Sequence, residues 1–352
     1  MDVLIMILCL AVVLSVLVFI HEGGHYLTSR LFGVRVTEFM IGLPGPRVGF
    51  TWHGTKFGVT AVPLGGYARV CGMEPGEESP YLEQTMAFAY EKGTVYLEDV
   101  AAHLGISDDD AYHALDELSE WGTLVPPRRK DKHNIYRTPA IKGVRAEGEP
   151  SPVADSRAFY ESERRQQYRS LPFWKRSVIL LAGPVVNLLF AVVAFVLIFS
   201  VIGMDVQNTQ TGEVFHMTIG PVEAVVAGFS YIGAVVASVA QLFNPATAAQ
   251  VVDSSVSVVG MAVISKSYLD MGLIYLLYFT AMISVSLGVM NLLPIPPLDG
   301  GRFVVEIFQR IRRKEVSLKA LNYLSMAGMA LFICFFFIMV NQDVQRFVFG
   351  NW

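Results

Sequence analysis

Positions 21–25 read His-Glu-Gly-Gly-His, the residue types and spacing of a zinc site. On a helix, His21 and His25 lie one turn apart on one face, so both imidazoles can reach the same Zn²⁺. Glu22 points in a neighbouring direction and can take a proton from an attacking water without ligating the metal. The motif therefore predicts metal-assisted hydrolysis. The alternative is that the histidines only cap an apolar helix at a membrane surface, where such residues are costly.

A catalytic zinc needs a third protein ligand and one open position. Asp299 is the best candidate, because it lies in the segment 291–301 (Asn-Leu-Leu-Pro-Ile-Pro-Pro-Leu-Asp-Gly-Gly), at the end of a long apolar run. The prolines stop the helix, and Gly300 and Gly301 permit a sharp turn. The other histidines are expected in a turn, in a soluble insert or across the membrane. A plain turn or cap role for Asp299 is the alternative.

Long apolar runs are the elements that would position these residues. Hydrophobic residues make up 53% of the chain and charged residues 16%, against roughly 25% charged in an ordinary globular protein. Four runs match the ~20 residues needed to cross a bilayer, and they predict spans at 3–20, 177–202, 271–293 and 320–340. The run 221–243 is predicted to lie on or dip into the membrane surface, with a fifth span as the alternative.

The first run is predicted to be a permanent span and not a cleaved signal peptide. No basic residue precedes it, no small-x-small cleavage site follows it, and it leads directly into the 21–25 motif. The fold class expected from these runs is mainly α: a polytopic membrane protein.

The basic residues predict the orientation of the chain in a cell membrane. Of the 27 Lys and Arg, 25 fall in the loop 26–176 or in the loop between the third and fourth predicted spans, so this side should be cytoplasmic and both termini extracytoplasmic. Spans one and three then run in the same direction. Their cytoplasmic ends carry the 21–25 motif and Asp299, so the predicted ligands reach the same depth.

The long cytoplasmic loop divides into two parts. Residues 33–75 have strand-like alternation around Val36 and again at Phe57, Val59 and Ala61, which predicts a membrane-associated β-hairpin. Residues 76–155 contain a soluble insert with linkers, whose helix–turn–helix–strand pattern resembles a winged helix. The predicted domain boundaries are therefore 1–32, 33–75, 76–155 and 156–345.

Four motifs in this order resemble those of the site-2 protease family, most closely the bacterial branch that contains the regulator-of-sigma-E protease. They are HEGGH (21–25), PLGGYARVCGM (63–73), AGPVVN (182–187) and NLLPIPPLDGG (291–301). The resemblance covers residues 1–75 and 155–345. It implies an intramembrane zinc metalloprotease with one Zn²⁺, held by His21, His25 and Asp299, and with Glu22 as the base. The implied substrates are single-span membrane proteins such as anti-sigma factors or remnant signal peptides.

The resemblance also implies roles for two amides and for the hairpin. Asn187 would support catalysis by positioning or polarising the substrate. The alternative is that its amide only forms hydrogen bonds between neighbouring helices. Asn291 would help to bind the substrate, and the alternative is again a hydrogen bond between neighbouring helices. The hairpin looks like the family's membrane re-entrant β-loop, whose free edge would pair with an unwound substrate through Phe57, Val59 and Ala61.

Two features depart from that branch of the family. Only residues 203–220 separate the second predicted span from the next apolar segment, too few for the PDZ domains usually found there.

The second departure is the cytoplasmic insert, which that branch of the family lacks. Its residues 81–121 hold ten Asp and Glu against one Lys. These acidic side chains would repel the phosphates of a nucleic acid. A basic protein segment is therefore the favoured partner, and nucleic acid is not. A structural spacer is the alternative, and the basic run at Arg128, Arg129, Lys130 and Lys132 could touch phosphate or lipid headgroups.

Two other classes of function compete with proteolysis. A non-catalytic homologue that binds or regulates membrane proteins would be marked by loss of Glu22 or of a ligand, and all are present. A transporter would place acidic residues within its spans, and the four predicted spans contain none.

Overall fold

A computed structural model describes residues 2–62, 65–73, 78–128, 131, 134–141, 143–207, 213–314, 316–347 and 349. Within these ranges, five helices are long and apolar enough to cross a membrane: Asp2–Leu31, Phe173–Ile202, Pro221–Gln241, Leu273–Asn291 and Lys319–Arg346. A sixth candidate is the pair Ala248–Ser254 and Val258–Met271, which is bent by 46°. The fold is mainly helical with small sheets and has the apolar helices of a multi-pass membrane protein, as predicted.

Four of the candidate spans match the predicted ones. The helix Pro221–Gln241, expected at the membrane surface, also has the length and hydropathy of a span. Most of its side chains are not covered by the rest of the protein. Such an exposed apolar helix needs contact with the bilayer.

The first span is longer than its apolar run. Helix α1 (Asp2–Leu31) continues without a break through the 21–25 motif, since neither glycine there interrupts the hydrogen-bonded turns. The motif therefore lies within the helix rather than after it, and α1 buries Leu17, His21 and His25 along one side.

Four strands follow: β1 (Val36–Ile41), β2 (Arg47–Trp52), β3 (Thr55–Thr60) and β4 (Gly66–Val70). They form one sheet in the order β2-β3-β1-β4, in which β1 and β3 are parallel. Only β2 and β3 make a true hairpin, closed at His53 and Gly54, both with positive φ. The predicted hairpin is thus half of a four-stranded sheet, and Pro63 and Leu64 lie outside the described residues.

The sheet corrects the predicted substrate edge. Strand β3 carries Phe57 and Val59 and pairs with β2 on one side and β1 on the other. The Ala61 amide, just past β3, donates to the Pro46 carbonyl at 2.9 Å. Backbone groups already used in the sheet cannot bind an added strand, so the prediction for these three residues was wrong. The two edge strands of the sheet are β2 and β4.

The insert forms its own apolar core. Its elements are α2 (Leu82–Lys92), β5 (Thr94–Tyr96), α3 (Leu97–Leu104), α4 (Asp108–Glu120) and β6 (Ile135–Arg137). Ser107 caps α4 by accepting the Asp110 amide at 3.1 Å. The core includes Trp121 and Tyr136, each 1% exposed. Within the predicted basic run, Arg129, Lys130 and Lys132 lie outside the described residues, as does 74–77 of the predicted linker.

The chain then returns to the membrane through α5 (Ser156–Arg164) and α6 (Phe173–Val196). Helix α6 is the centre of the bundle, packing against α1 and against α7 (Pro221–Gln241), α10 (Leu273–Asn291) and α11 (Asp299–Arg312). Between α6 and α7 lie a π-helical turn (Leu197–Ile202), β7 (Met204–Gln207) and β8 (Val214–Met217).

Three further helices belong to the bundle. Helices α8 (Ala248–Ser254) and α9 (Val258–Met271) precede α10, and α12 (Leu318–Phe347) follows α11. Helix α9 packs against α1 and α10, and α12 packs against α9. Small residues on α6 and α10 allow a close approach, with Ala191 and Ala194 facing Ala281 and Val285 in one buried cluster.

Candidate metal centre

Three side chains from two distant parts of the sequence converge at the end of α1. The Nε2 atom of His21 lies 3.0 Å from Oδ2 of Asp299, and Nε2 of His25 lies 3.4 Å from the same oxygen. The two Nε2 atoms are 3.4 Å apart. One ligand atom from each residue falls within 4.8 Å of the other two. Two imidazoles and a carboxylate are the donor set of a catalytic zinc with one open position.

A close crossing of α1 and α6 makes room for the imidazoles. A Cβ added to Gly24 would meet the Ala182 carbonyl oxygen at 2.6 Å, and a Cβ added to Gly183 would overlap the Nε2 atoms of both histidines. Glycine at both positions lets the helices touch through their backbones while the imidazoles occupy the space beside Gly183.

Hydrogen bonds behind the imidazoles fix their orientation. The Nδ1 atom of His25 lies 2.7 Å from the Ile179 carbonyl oxygen, so it donates and leaves Nε2 free for a metal. The Nδ1 atom of His21 lies 3.2 Å from Nδ2, the side-chain amide nitrogen, of Asn187. Asn187 is fully buried, and its Oδ1 has no hydrogen-bond partner in the described part of the chain.

The orphaned Asn187 oxygen provides a test of whether a metal fits. A metal on His21 Nε2 requires a proton on Nδ1, and that N–H then needs an acceptor. Rotating the Asn187 side-chain amide by 180° exchanges its nitrogen and oxygen, so that Oδ1 accepts a hydrogen bond from the Nδ1–H of His21. Both the orphaned oxygen and the imidazole N–H then have a partner. The donor set and its surroundings therefore fit a zinc ion.

Asp299 is held in place by the turn that precedes it. It opens α11, and its two following glycines pack against the backbone of the 292–296 turn, where a Cβ on either would overlap main-chain atoms. Burial alone would raise the pKa of the Asp299 carboxyl, but hydrogen bonds from His21 and His25 hold that pKa well below its usual range. The carboxylate is thus ionised, as a ligand must be.

Glu22, next to His21 in the sequence, contacts the sheet. Its Oε2 accepts a hydrogen bond from the Ala68 amide of β4 at 2.9 Å. Because this amide points towards α1 and not towards β1, the outer edge of β4 lies beside Glu22.

Asn291 and the β3 residues are not brought to the cluster. Asn291 donates to the Leu287 carbonyl of its own helix at 3.0 Å. Phe57 packs with Tyr26 of α1 and Phe39 of β1, with ring centroids 5.4 and 5.7 Å away. Its side chain therefore attaches the sheet to α1.

Several contributors to the site were not singled out from sequence. Gly24 and Gly183 lay inside quoted motifs, but only the packing of α1 on α6 shows why they must be small. The Ile179 carbonyl and the Ala68 amide are backbone groups, which leave no residue-type signal at all.

Comparison with known proteins agrees with this geometry. The profile of Peptidase family M50 matches residues 9–335. The zinc metalloprotease RasP of Geobacillus kaustophilus is 24% identical, over 97% of this chain and 98% of its own length. The zinc metalloprotease RasP of Shouchella clausii is 24% identical over 97% and 99%, and the regulator of sigma-W protease RasP of Bacillus subtilis is 21% identical over 97% and 98%.

The profile covers both halves of the metal centre, the helix with His21 and His25 and the turn with Asp299. The predicted enzyme class and zinc cofactor are confirmed along with the family. The chain belongs to peptidase family M50, the site-2 protease family of zinc metalloproteases.

Proposed function

We propose that this zinc metalloprotease hydrolyses peptide bonds within or near transmembrane segments of other membrane proteins, with Glu22 as general base. The observation that carries the proposal is the position of the metal centre. It is buried beside the second half of α1, among other apolar helices and next to the sheet that Glu22 contacts.

His21, His25 and Asp299 would hold the zinc. Bound there, zinc would supply Lewis acidity that polarises the scissile carbonyl and makes water more acidic. The Glu22 carboxylate would accept the proton of the attacking water and then donate it to the departing amide nitrogen. The Ala68 hydrogen bond to Oε2 would hold the carboxylate beside β4, with its other oxygen available for the proton.

Asn187 would act as a positioning residue. Its side-chain amide lies within hydrogen-bond distance of His21, and the whole side chain is buried. Its Oδ1 would fix the imidazole tautomer and ring angle, as the Ile179 carbonyl does for His25. Nothing comparable supports a role for Asn291, whose amide caps its own helix.

Substrate would bind as an added strand along the outer edge of β4. A peptide bond in a helix is hydrogen-bonded and shielded, so an intramembrane substrate must be unwound before attack. Edge strand β4 reaches Glu22 through Ala68, whereas the other edge strand, β2, lies three strands away across the sheet, with Val48 85% exposed. A strand on β4 would place its backbone next to the base.

The proposed setting is a cell membrane, with the metal centre near the cytoplasmic face and both termini outside. The bias of 25 of 27 basic residues to one side supports this orientation. The name of the Bacillus subtilis relative, regulator of sigma-W protease, favours single-span regulatory proteins such as anti-sigma factors as substrates.

The insert would dock a basic protein segment. Its order of helix, strand, two helices and a paired strand resembles that of a winged helix. However, α4 begins with Asp108, Asp109 and Asp110, all exposed, which would repel phosphates. Arg35 joins the insert to the protease body: its guanidinium donates to the Trp121 carbonyl at 3.2 Å and pairs with Glu163 at 2.7 Å.

Cleavage of a defined substrate tests the function. The purified protein in lipid nanodiscs should cut a single-span membrane protein, and mass spectrometry should place the cut within or next to its apolar segment. Cells with Glu22→Gln should accumulate uncut single-span proteins. Cuts confined to soluble loops would contradict intramembrane proteolysis.

Substrates with single ester bonds test strand addition, since each ester removes one backbone N–H. Cleavage should fall at alternate ester positions, because every second residue of a strand faces its partner. A uniform response, or none, would contradict pairing with β4 while leaving the protease assignment intact.

A further inference from the structure

A charged cavity that catalysis does not use lies next to the turn carrying Asp299. It has a volume of about 280 Å³. Its charged lining consists of Arg164, Arg169, Arg176, Arg302, Glu78 and Glu306. Four arginines against two glutamates give this cavity a positive balance.

The cavity lies where membrane helices begin and end. Arg176 and Leu180 come from the first turns of α6, Leu321 and Ser325 from the first turns of α12, and Pro296 from the turn just after α10. The neighbouring Trp174 is 57% exposed, and tryptophan is enriched at the membrane–water interface. The cavity is therefore at the depth of lipid headgroups.

One wall of the cavity has the character of an interfacial helix. Helix α11 supplies Arg302 and Glu306 to the lining, while its Phe308 and Ile311 are 47% and 75% exposed. Its last turns add further arginines. A helix with a basic polar face and exposed apolar side chains lies along the headgroup boundary.

Three of the four arginines have a carboxylate partner among the described residues, so Arg302 carries the unpaired positive charge. Arg164 pairs with Glu78 at 2.9 Å and Arg176 with Glu306 at 3.3 Å, while Arg169 lies 3.8 Å from Glu117, which is outside the cavity lining. Within the described residues, the buried Nε atoms of Arg164 and Arg176 have no hydrogen-bond acceptor, and Arg302 forms no ion pair. Guanidinium groups with free donors are suited to a phosphate, whose oxygens accept several hydrogen bonds.

We propose that this cavity binds the phosphate of an anionic phospholipid, with its acyl chains alongside α12. The apolar side chains of that helix are largely exposed, Leu324 by 49% and Met326 by 67%. Pro296 and Pro297 line the cavity and precede Asp299 by one short turn. A bound headgroup therefore contacts the segment that carries the third zinc ligand. The lipid site does not depend on the substrate proposed above.

Native mass spectrometry of the purified protein tests the site with phosphatidylglycerol and phosphatidylcholine as probes. The protein should retain phosphatidylglycerol in preference to phosphatidylcholine. Arg302→Gln and Arg176→Gln should each weaken that retention about tenfold, the effect of losing one charged hydrogen bond. The matched control is Arg310→Gln, on the same helix but not in the cavity lining, and it should leave retention unchanged.

Equal retention of the two lipids would overturn the proposal, as would unchanged retention in both cavity variants. Displacement of phosphatidylglycerol by millimolar inorganic phosphate would identify a free-phosphate site instead. Displacement by an acidic peptide, with inorganic phosphate inert, would identify a peptide site. Arg302 is exposed and outside the ion pairs of the cavity, so its variant should fold, and zinc content measured on the same sample verifies this.

Discussion

The metal centre and the soluble insert are both rich in ionisable residues, and they differ in what surrounds those residues. At the metal centre, His21 and His25 are 7% and 5% exposed and are surrounded by apolar helices. In the insert, Asp108, Asp109 and Asp110 face solvent at the start of α4, while the apolar side chains are inside.

The contrast shows where a sequence reveals its function. A polar residue inside a membrane helix is costly, so its presence requires an explanation, and the proposed zinc site would supply one here. A carboxylate on the surface of a soluble helix costs nothing, and at a helix start it is favoured by the helix dipole. The same residue types therefore carry a strong functional signal in α1 and a weak one in α4.

The largest effect should come from removing a zinc ligand. In His25→Ala or Asp299→Ala, two donors remain, too few for a catalytic zinc, so zinc content and cleavage should both fall to background. Metal analysis of the purified variants, together with cleavage assays, checks this. Normal zinc content in Asp299→Ala would remove Asp299 from the ligand set.

Filling the space beside the imidazoles should have the next largest effect. In Gly183→Ala the new methyl group overlaps both Nε2 atoms, which should displace the imidazoles and lower kcat/KM about 10²-fold, as expected for misplaced catalytic groups. The matched control is Gly233→Ala in α7, where an added Cβ meets nothing within 4 Å. Equal activity of the two variants would show that the α1–α6 crossing tolerates a methyl group.

Loss of the Asn187 amide should have an intermediate effect. Asn187→Ala removes the acceptor for His21 and should weaken zinc binding by about 10- to 100-fold, the usual cost of losing a group that orients a ligand. Asn187→Asp keeps an acceptor oxygen and should recover much of that affinity. Competition with a zinc chelator measures both. Unchanged zinc affinity with impaired cleavage would instead favour the substrate-positioning role.

How much of this site could be predicted from sequence depends on the kind of group involved. The convergence of His21, His25 and Asp299 could be predicted because a recognisable motif and the membrane topology both led to these residues. The β3 residues Phe57 and Val59 were assigned wrongly, because alternation marks a strand but does not say which neighbours it has. The parallel pairing of β1 with β3 places that strand inside the sheet.

The extent of the helices was also only partly predictable. Hydropathy alone marks only the apolar part of α1 at 3–20, and the 21–25 motif extended the predicted first helix to the segment 1–32. The helix runs to Leu31, because the polar motif has its own packing partners on α6. Likewise, hydropathy did not distinguish a surface helix from a span at Pro221–Gln241, since both are apolar and long.

The smallest effect should come from the insert. Reversing the charge at Asp108, Asp109 and Asp110 should change the cleavage rate or selectivity only a few-fold, and salt should reduce the difference, since surface charges mainly act on encounter. Replacing residues 81–139 with a short Gly/Ser linker should leave zinc content unchanged and alter substrate choice. Unchanged selectivity of the linker variant would make the insert a spacer, and binding of duplex DNA by the insert would contradict the charge argument.

Glu22→Gln, assayed for zinc and for cleavage in one preparation, tests the central claim most directly. The account predicts one zinc per chain, because the three ligands are untouched, and a loss of turnover of about 10²–10⁴-fold, because the proton acceptor is gone. Cleavage of a single-span substrate at the wild-type rate by this variant would contradict Glu22 as the general base.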